Sequence, residues 1–305
     1  MSMKQLFGPM LGALTVLCWS AYNVAAKHGI DTGFSPEALA FLRFAVPGIV
    51  ALPALAVLQL RGRHPAIPLP RLIVLVMFGG PCFGLFAVSG YEHAPLSHGL
   101  LFAPVAVFLA GSVMGHFLLQ ERISASRLSG AGVMFIGLAV LVGFDMGGLD
   151  ASWGQGVAFF LLAGVIWGCY TILLRYWRIP TVEGTVLVAA GSAILALPIL
   201  GGAAYGTLSS ASTSSLALQI VMQGVIGGVL SVMALIGAVR ALSAQMAALL
   251  PIFTPVVALM IACVFLGVVP SAAEVFGVTI IAAGFLWSFD IRWRSLGGLR
   301  PLRQS

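Results

Sequence analysis

Charge is what this chain has least of: 8% of its 305 residues are Asp, Glu, Lys or Arg, against 60% that are hydrophobic. A soluble domain carries about 25% charged residues and could not keep so much apolar surface from water. A soluble fold is thereby excluded. Cysteine is sparse as well. Cys18, Cys82, Cys169 and Cys263 all fall in apolar stretches and read as small packing residues, so neither a disulfide nor a metal site is expected. No HExxH, GxGD, P-loop or nucleophile-elbow pattern occurs. Hydrolysis and ATP use therefore find no support, and the chain is expected to be no enzyme, with no catalytic residues and no cofactor. The basic residues behind the net charge of +6 lie in short loops and a C-terminal tail, with no basic, aromatic-interleaved patch. Nucleic acid is not an expected partner.

What the chain does have is a succession of ten apolar stretches, near 7–27, 36–60, 72–91, 97–119, 127–143, 154–176, 184–204, 216–240, 245–267 and 271–290. Each is long enough, or nearly so, to cross a bilayer as a helix. They leave short loops and no room for a separate extramembrane domain, so any activity must sit within the helix bundle. The Ser/Thr-rich run 208–215 reads as the longest polar surface connection. The first stretch is too long for a signal-peptide core, and an uncleaved first helix is expected.

The first five stretches resemble the second five. A Trp-x-x-Tyr-x-x-x-x-basic stripe reads Trp19, Tyr22, Lys27 in one half and Trp167, Tyr170, Arg175 in the other, 148 residues apart. Further on, at an offset of 147, Ala94 matches Ala241, Pro104 matches Pro251, and Gly130 and Gly137 match Gly277 and Gly284. A repeat with an odd number of spans enters the membrane from opposite sides in its two copies, so the copies are inverted. The expected units are 1–148 and 149–291, with a basic tail at 292–305.

The positive-inside rule fixes the orientation. With a cytoplasmic N-terminus, the inner loops hold Lys4, Arg61, Arg63, Arg71, Arg122, Arg127, Arg175, Arg178, Arg240, Arg292, Arg294, Arg300 and Arg303, while the outer side holds Lys27 alone. Both termini are expected inside. Arg43 lies within the second span, where it should snorkel outward or face protein, with a salt bridge to Glu37 as the alternative to substrate contact.

The repeated segments Ala94-Pro-Leu-Ser-His-Gly-Leu-Leu-Phe-Ala-Pro104, Gln120-Glu121 and Ser124 to Gly137, and their second copies from Ala241 to Pro251 and Ser271 to Gly284, resemble the drug/metabolite transporter superfamily in its ten-helix EamA-type form. The likeness covers nearly the whole chain and is greatest for the amino-acid and metabolite exporters. It implies an all-α integral membrane fold, ten transmembrane helices in two inverted five-helix repeats around a central cavity. One departure stands out: the acidic residue of the connecting turn is Glu121 in the first copy, but Val268 occupies its place in the second. In the family this acid is a structural feature near the membrane surface.

Trp19, Tyr22 and Asn23 share a helical face, repeated by Trp167 and Tyr170, and Trp19 sits too deep for an interfacial anchor. These residues are expected to line the cavity, with core packing as the competing role. Phe86, Tyr91, Phe102, Ser231 and Phe253 are further candidates for its wall. Pro81, Pro104, Gly228 and Pro251 fall in corresponding spans and are candidate gating or kink positions. Pairs with GxxxG spacing (Gly8/Gly12, Gly111/Gly115, Gly164/Gly168 and Gly224/Gly228) suit close helix packing. Neither Trp-Tyr helix carries a mid-span Asp or Glu, so proton coupling would fall to His93, His98, His116 or a loop acid, and a uniporter is equally open.

The leading expectation is a transporter exporting small metabolites, amino acids including aromatic or apolar ones first among them, across a bacterial inner membrane by alternating access. Its partners are a small-molecule substrate and the lipid bilayer; a monomer would suffice. A drug or nucleotide-precursor exporter stays open within this class, and a membrane scaffold or sensor without transport stays open outside it.

Overall fold

The computed structural model describes residues 3–62, 67–145, 152–242, 246 and 249–288, the side chains of 3–6, 144 and 145 excepted. The expected repeat boundary at 148/149, the basic tail and Ser243 to Gln245 of the second motif lie outside these residues. The helices are α1 (Met3–Asp31), α2 (Pro36–Leu60), α3 (Leu69–Gly79), α4 (Pro81–His93), α5 (Leu96–Leu119), α6 (Ala125–Asp145), α7 (Trp153–Tyr176), α8 (Thr181–Ser210), α9 (Thr213–Gln219), a π-helix (Ile220–Leu230), α10 (Ser231–Ala241), α11 (Leu250–Leu266) and α12 (Ala272–Ser288). Taken with their continuations, α3–α4 forms the third span and α9–π–α10 the eighth. Eight spans are long and apolar enough to cross a membrane, and α11 and α12 are shorter apolar helices that complete the ten.

One expectation fails. The run 208–215 is not a polar loop: α8 continues to Ser210 and α9 starts at Thr213. The hydroxyls of Ser209 and Ser210 donate back to the Gly206 carbonyl, at 3.1 and 2.9 Å, so the helix absorbs them. Ser212 then caps α9, its Oγ accepting from the Ser215 amide at 3.2 Å. Hydroxyls that bond their own helix carry no loop signal.

The inversion is visible in the glycine contacts. A methyl on Gly130 of α6 would lie 2.7 Å from the Gly284 carbonyl oxygen of α12, and one on Gly137 would lie 3.1 Å from that of Gly277. Numbers rise along α6 as they fall along α12, so the two helices are antiparallel. They are also repeat equivalents, Gly130 matching Gly277 and Gly137 matching Gly284. Equivalent helices that run antiparallel are related by an axis perpendicular to them, which in a membrane lies in its plane.

Other contacts obey the same exchange. Gly8 of α1 meets Ala241 of α10, while its counterpart Gly156 of α7 meets Ala94 after α4. The first span thus packs on the eighth and ninth, and the sixth on the third and fourth. Gly164 and Gly168 bring α7 onto the α5 backbone, and Gly224 and Gly228 bring the eighth span onto Val46 and Pro47. Gly111 and Gly115 differ, since a methyl on Gly111 would meet nothing within 4 Å and Gly115 faces Glu121.

Candidate functional site

The site begins with two helices that lose regularity at equivalent positions. In the third span, α3 ends at Gly79 and α4 starts at Pro81, so Gly80 breaks the helix. A methyl on Gly80 would lie 2.1 Å from Ser192 Oγ and 2.4 Å from the Val76 carbonyl oxygen, which leaves room for glycine alone. Its counterpart 147 residues on, Gly227, lies inside the 11-residue π-helix of the eighth span. Such π stretches are rare and concentrate at functional sites.

Each irregularity receives the tyrosine of the other repeat's Trp-Tyr helix. A methyl on Gly79 would lie 2.7 Å from the Tyr170 ring, and one on Gly227 would lie 3.1 Å from Tyr22 Cβ. Two seats result, one per repeat interface.

The seat around Tyr22 is the more polar. Tyr91 donates its hydroxyl to Asn23 Oδ1 at 2.9 Å, and Asn23 Nδ2 donates to the Trp19 carbonyl at 2.8 Å. Lys27 Nζ donates to the Tyr91 carbonyl at 3.1 Å and pairs with Asp31 at 2.7 Å. Across the interface, buried Gln219 donates to the Ala25 carbonyl at 2.9 Å, and Gln223 to that of Tyr22 at 3.1 Å. Ser231 returns its hydroxyl to the Gly227 carbonyl at 2.5 Å. The Arg43 guanidinium lies 4.0 Å above the Tyr22 ring, so it faces protein and not Glu37. The two glutamines escaped the sequence reading. Their signal was there, in a polar pair four residues apart within an apolar run, the pattern of interhelical hydrogen bonding.

The seat around Tyr170 is aromatic. Trp167 lies with its ring centre 4.6 Å from that of Phe83 and 5.1 Å from that of Tyr170. Trp19 instead packs among Val16, Leu235, Ala238 and Leu250, against α10 and α11.

The remaining candidates are scattered. Phe86 stacks on Phe159 at 6.0 Å, and Phe102 is buried against His98 at 5.8 Å. Phe253 is 55% exposed. It shares an exposed stripe with Val256, Met260 and Val264, at the spacing of one helix face. Pro81 opens α4 at the break, Pro104 lies within α5, and Gly228 rests against the Pro47 ring. Pro251 stands in the first turn of α11, where proline causes no kink. Pro104 and Pro251, equivalents, face each other across a void of ≈ 10 Å³ that Leu101, Ile252 and Phe285 also line. That void has room for about one water, and a metabolite needs a pocket of roughly 300 Å³ or more. The void between the two prolines is therefore not a chamber of solute size.

Ten helices in two inverted copies, with broken helices at equivalent depth, define a membrane protein of the secondary-transporter type. The EamA-like transporter family model matches residues 6–143 and 154–289, and the chain belongs to that family. The Uncharacterized transporter YxxF of Bacillus subtilis (strain 168) is 24% identical over 184 residues. That stretch is 60% of this chain and spans 57% of the length of the curated relative. A solved structure described only as "Crystal structure of protein" shares the fold with a TM-score of 0.63 at 23% identity, over 95% of this chain and 99% of that one.

Proposed function

We propose that this chain moves small metabolites, amino acids in the first place, out of a bacterial cell across the inner membrane by alternating access. The observation that carries this reading is the paired irregularity: the break at Gly79-Gly80 and the π-helix at Gly227, where Gly79 meets Tyr170 and Gly227 meets Tyr22 of the opposite repeat. Regular helices would lock the repeats together, whereas interrupted ones leave backbone groups and play at the point where the repeats must rock. A solute chamber between the two seats would open alternately to either side as the repeats tilt. The scarcity of charge in the interior suits an amphiphilic solute, and the asymmetry of the basic residues supports a reading with both termini in the cytoplasm. The units are residues 1–148 and 149–291, and one chain suffices.

Purified protein in liposomes, preloaded with single amino acids and assayed for radiolabel counterflow, tests the proposal. Exchange above that of empty vesicles is expected, with Trp167→Ala and Trp19→Ala impaired. No exchange of any amino acid would overturn it.

A further inference from the structure

We propose that Arg43 is the residue that binds the solute's carboxylate, a specificity role that rests on the transport reading above. Arg43 lies seven residues after Pro36, the first of its helix, or about 10 Å along it at 1.5 Å per residue. No carboxylate answers it. Its Nη1 is buried and has no hydrogen-bond partner, and the ion pairs among the described residues are Lys27–Asp31, Arg127–Glu121 and Arg175–Glu121. A buried guanidinium nitrogen left unsatisfied is costly, and persists where the structure holds it for a purpose.

The structure does hold it. The guanidinium carbon lies 4.0 Å from the centroid of the Tyr22 ring, within cation–π range. Glycine makes room for it: a methyl on Gly227 would lie 2.6 Å from Nη1, and one on Gly228 would lie 3.0 Å from the Arg43 carbonyl oxygen. Gln223 fixes Tyr22 through its carbonyl, so the ring that carries the guanidinium is itself held in place. Tyr91 is bonded to Asn23, the residue that follows Tyr22. A cation, an aromatic face and a neutral polar pair therefore converge beside the π-helix.

Symmetry decides between a structural and a solute-binding role. At the offset of the first half of the repeat, the counterpart of Arg43 is Gly191, beside buried Ser192. Among the described residues no guanidinium stacks on Tyr170, the cation on that side being Arg71 at 5.5 Å over Trp177, so the fold does not need one at the tyrosine. The tyrosine-stacked guanidinium is present once, which gives the site a polarity that an unsymmetrical solute can read. One guanidinium matches one carboxylate, while a phosphate or nucleotide would call for more than one cation. The solute's apolar part would lie along the Tyr22 side, and its ammonium near Asn23 Oδ1.

The test is counterflow of radiolabelled L-phenylalanine in proteoliposomes, competed by unlabelled L-phenylalanine, L-phenylalaninamide and phenethylamine. These keep or remove the carboxylate at nearly constant apolar bulk. The carboxylate-bearing competitor is expected to inhibit about tenfold better than the amide and the amine, the range of a charge-assisted hydrogen bond. Arg43→Gln is expected to raise KM for phenylalanine about tenfold or more and erase the preference, and Arg43→Lys to keep part of it. Equal competition by amino acid and amine, or an Arg43→Gln protein with unchanged KM, overturns the assignment while leaving transport standing. If Arg43→Gln does not elute as a monodisperse protein, the competitor series on the wild-type chain decides alone. Absence of exchange for every amino acid overturns the transport reading, and this assignment falls with it.

Discussion

Ser20 donates to the Thr254 carbonyl at 3.1 Å in the place where its repeat counterpart, Gly168, lies bare against the carbonyl of Val107. One interface gains a hydrogen bond, the other a closer backbone approach. A methyl on Gly168 would lie 2.8 Å from Val107 O, 2.9 Å from Ala110 Cβ and 3.2 Å from the Gly111 amide. Two of these three neighbours are backbone and cannot give way. Gly168→Ala is thus expected to cost about 1–3 kcal/mol, the usual range for overpacking. Ser20→Ala loses one interhelical hydrogen bond, about 0.6 kcal/mol on average. Thermal unfolding in detergent should rank Gly168→Ala well below Ser20→Ala; equal midpoints would contradict the packing described.

Inversion makes a geometric prediction that needs no substrate. In a background stripped of its four cysteines, the pair Leu141→Cys with Gly277→Cys, whose Cβ atoms would lie 3.2 Å apart, should cross-link under mild oxidation. The pair 141 with 288 should not, because those positions are neighbours only if α6 and α12 run parallel. Cross-linking of the second pair in place of the first would remove the axis on which the fold rests.

Much of this was legible in the sequence because bilayer crossing imposes long apolar runs and because duplication repeats its rare residues. Trp19 with Trp167, and Pro104 with Pro251, marked the repeat and its inversion. The site was less legible. Whether Tyr22 or Phe253 faces the interior depends on helix rotation, and a span that is apolar on all sides gives no moment to read it from. Phe253 accordingly is expected at the wall and is exposed in the structure. The π-helix was hidden for a related reason: Gly227-Gly228 signals freedom, but which way the backbone uses it depends on Val46, Pro47 and Arg43 across the interface. The Ser/Thr run at 208–215 misled because hydroxyls can bond their own helix.

Connecting turns offer a second comparison between copies. Gln120 ends α5 in the left-handed region at φ 56°, and its counterpart Gly267 ends α11 at φ 67°. A side chain there is strained by about 1–2 kcal/mol, and Gln120 recovers part through a 2.9 Å hydrogen bond to the Phe117 carbonyl. Gln120→Gly should therefore raise stability by about 0.5–1 kcal/mol, and Gly267→Ala should lower it by about 1 kcal/mol. A destabilised Gln120→Gly protein would show that the side-chain bond outweighs the backbone strain.

Glu121 binds Arg175 of α7 at 2.5 Å and lies 3.9 Å from Arg127, tying the α5–α6 turn to the second repeat. The opposite copy has Val268 in place of Glu121, and Lys27 turns to Asp31 instead. Because Arg175 is 59% exposed, the pair should contribute no more than about 1 kcal/mol. A double-mutant cycle with Glu121→Gln and Arg175→Gln, read by unfolding midpoints at low and high salt, should find a small coupling that salt weakens. A coupling of several kcal/mol would mean that the turn is far less hydrated than its exposure indicates.

The two irregular helices should respond differently to the same small insult. At Gly80 a methyl would meet Ser192 Oγ at 2.1 Å and a carbonyl of its own span at 2.4 Å, so Gly80→Ala must shift backbone and is expected to unfold the third span or cost about 3 kcal/mol. At Gly227 the nearest atom is Arg43 Nη1 at 2.6 Å, the tip of a long side chain, with backbone only at 3.1 Å. Gly227→Ala should therefore fold, with a midpoint lowered by no more than a few degrees, yet push the guanidinium off the Tyr22 ring and cut amino-acid counterflow by about tenfold. The separation of the two readouts is what matters. A Gly227→Ala protein that exchanges solute at the wild-type rate would place the transport path elsewhere than between the first and eighth spans.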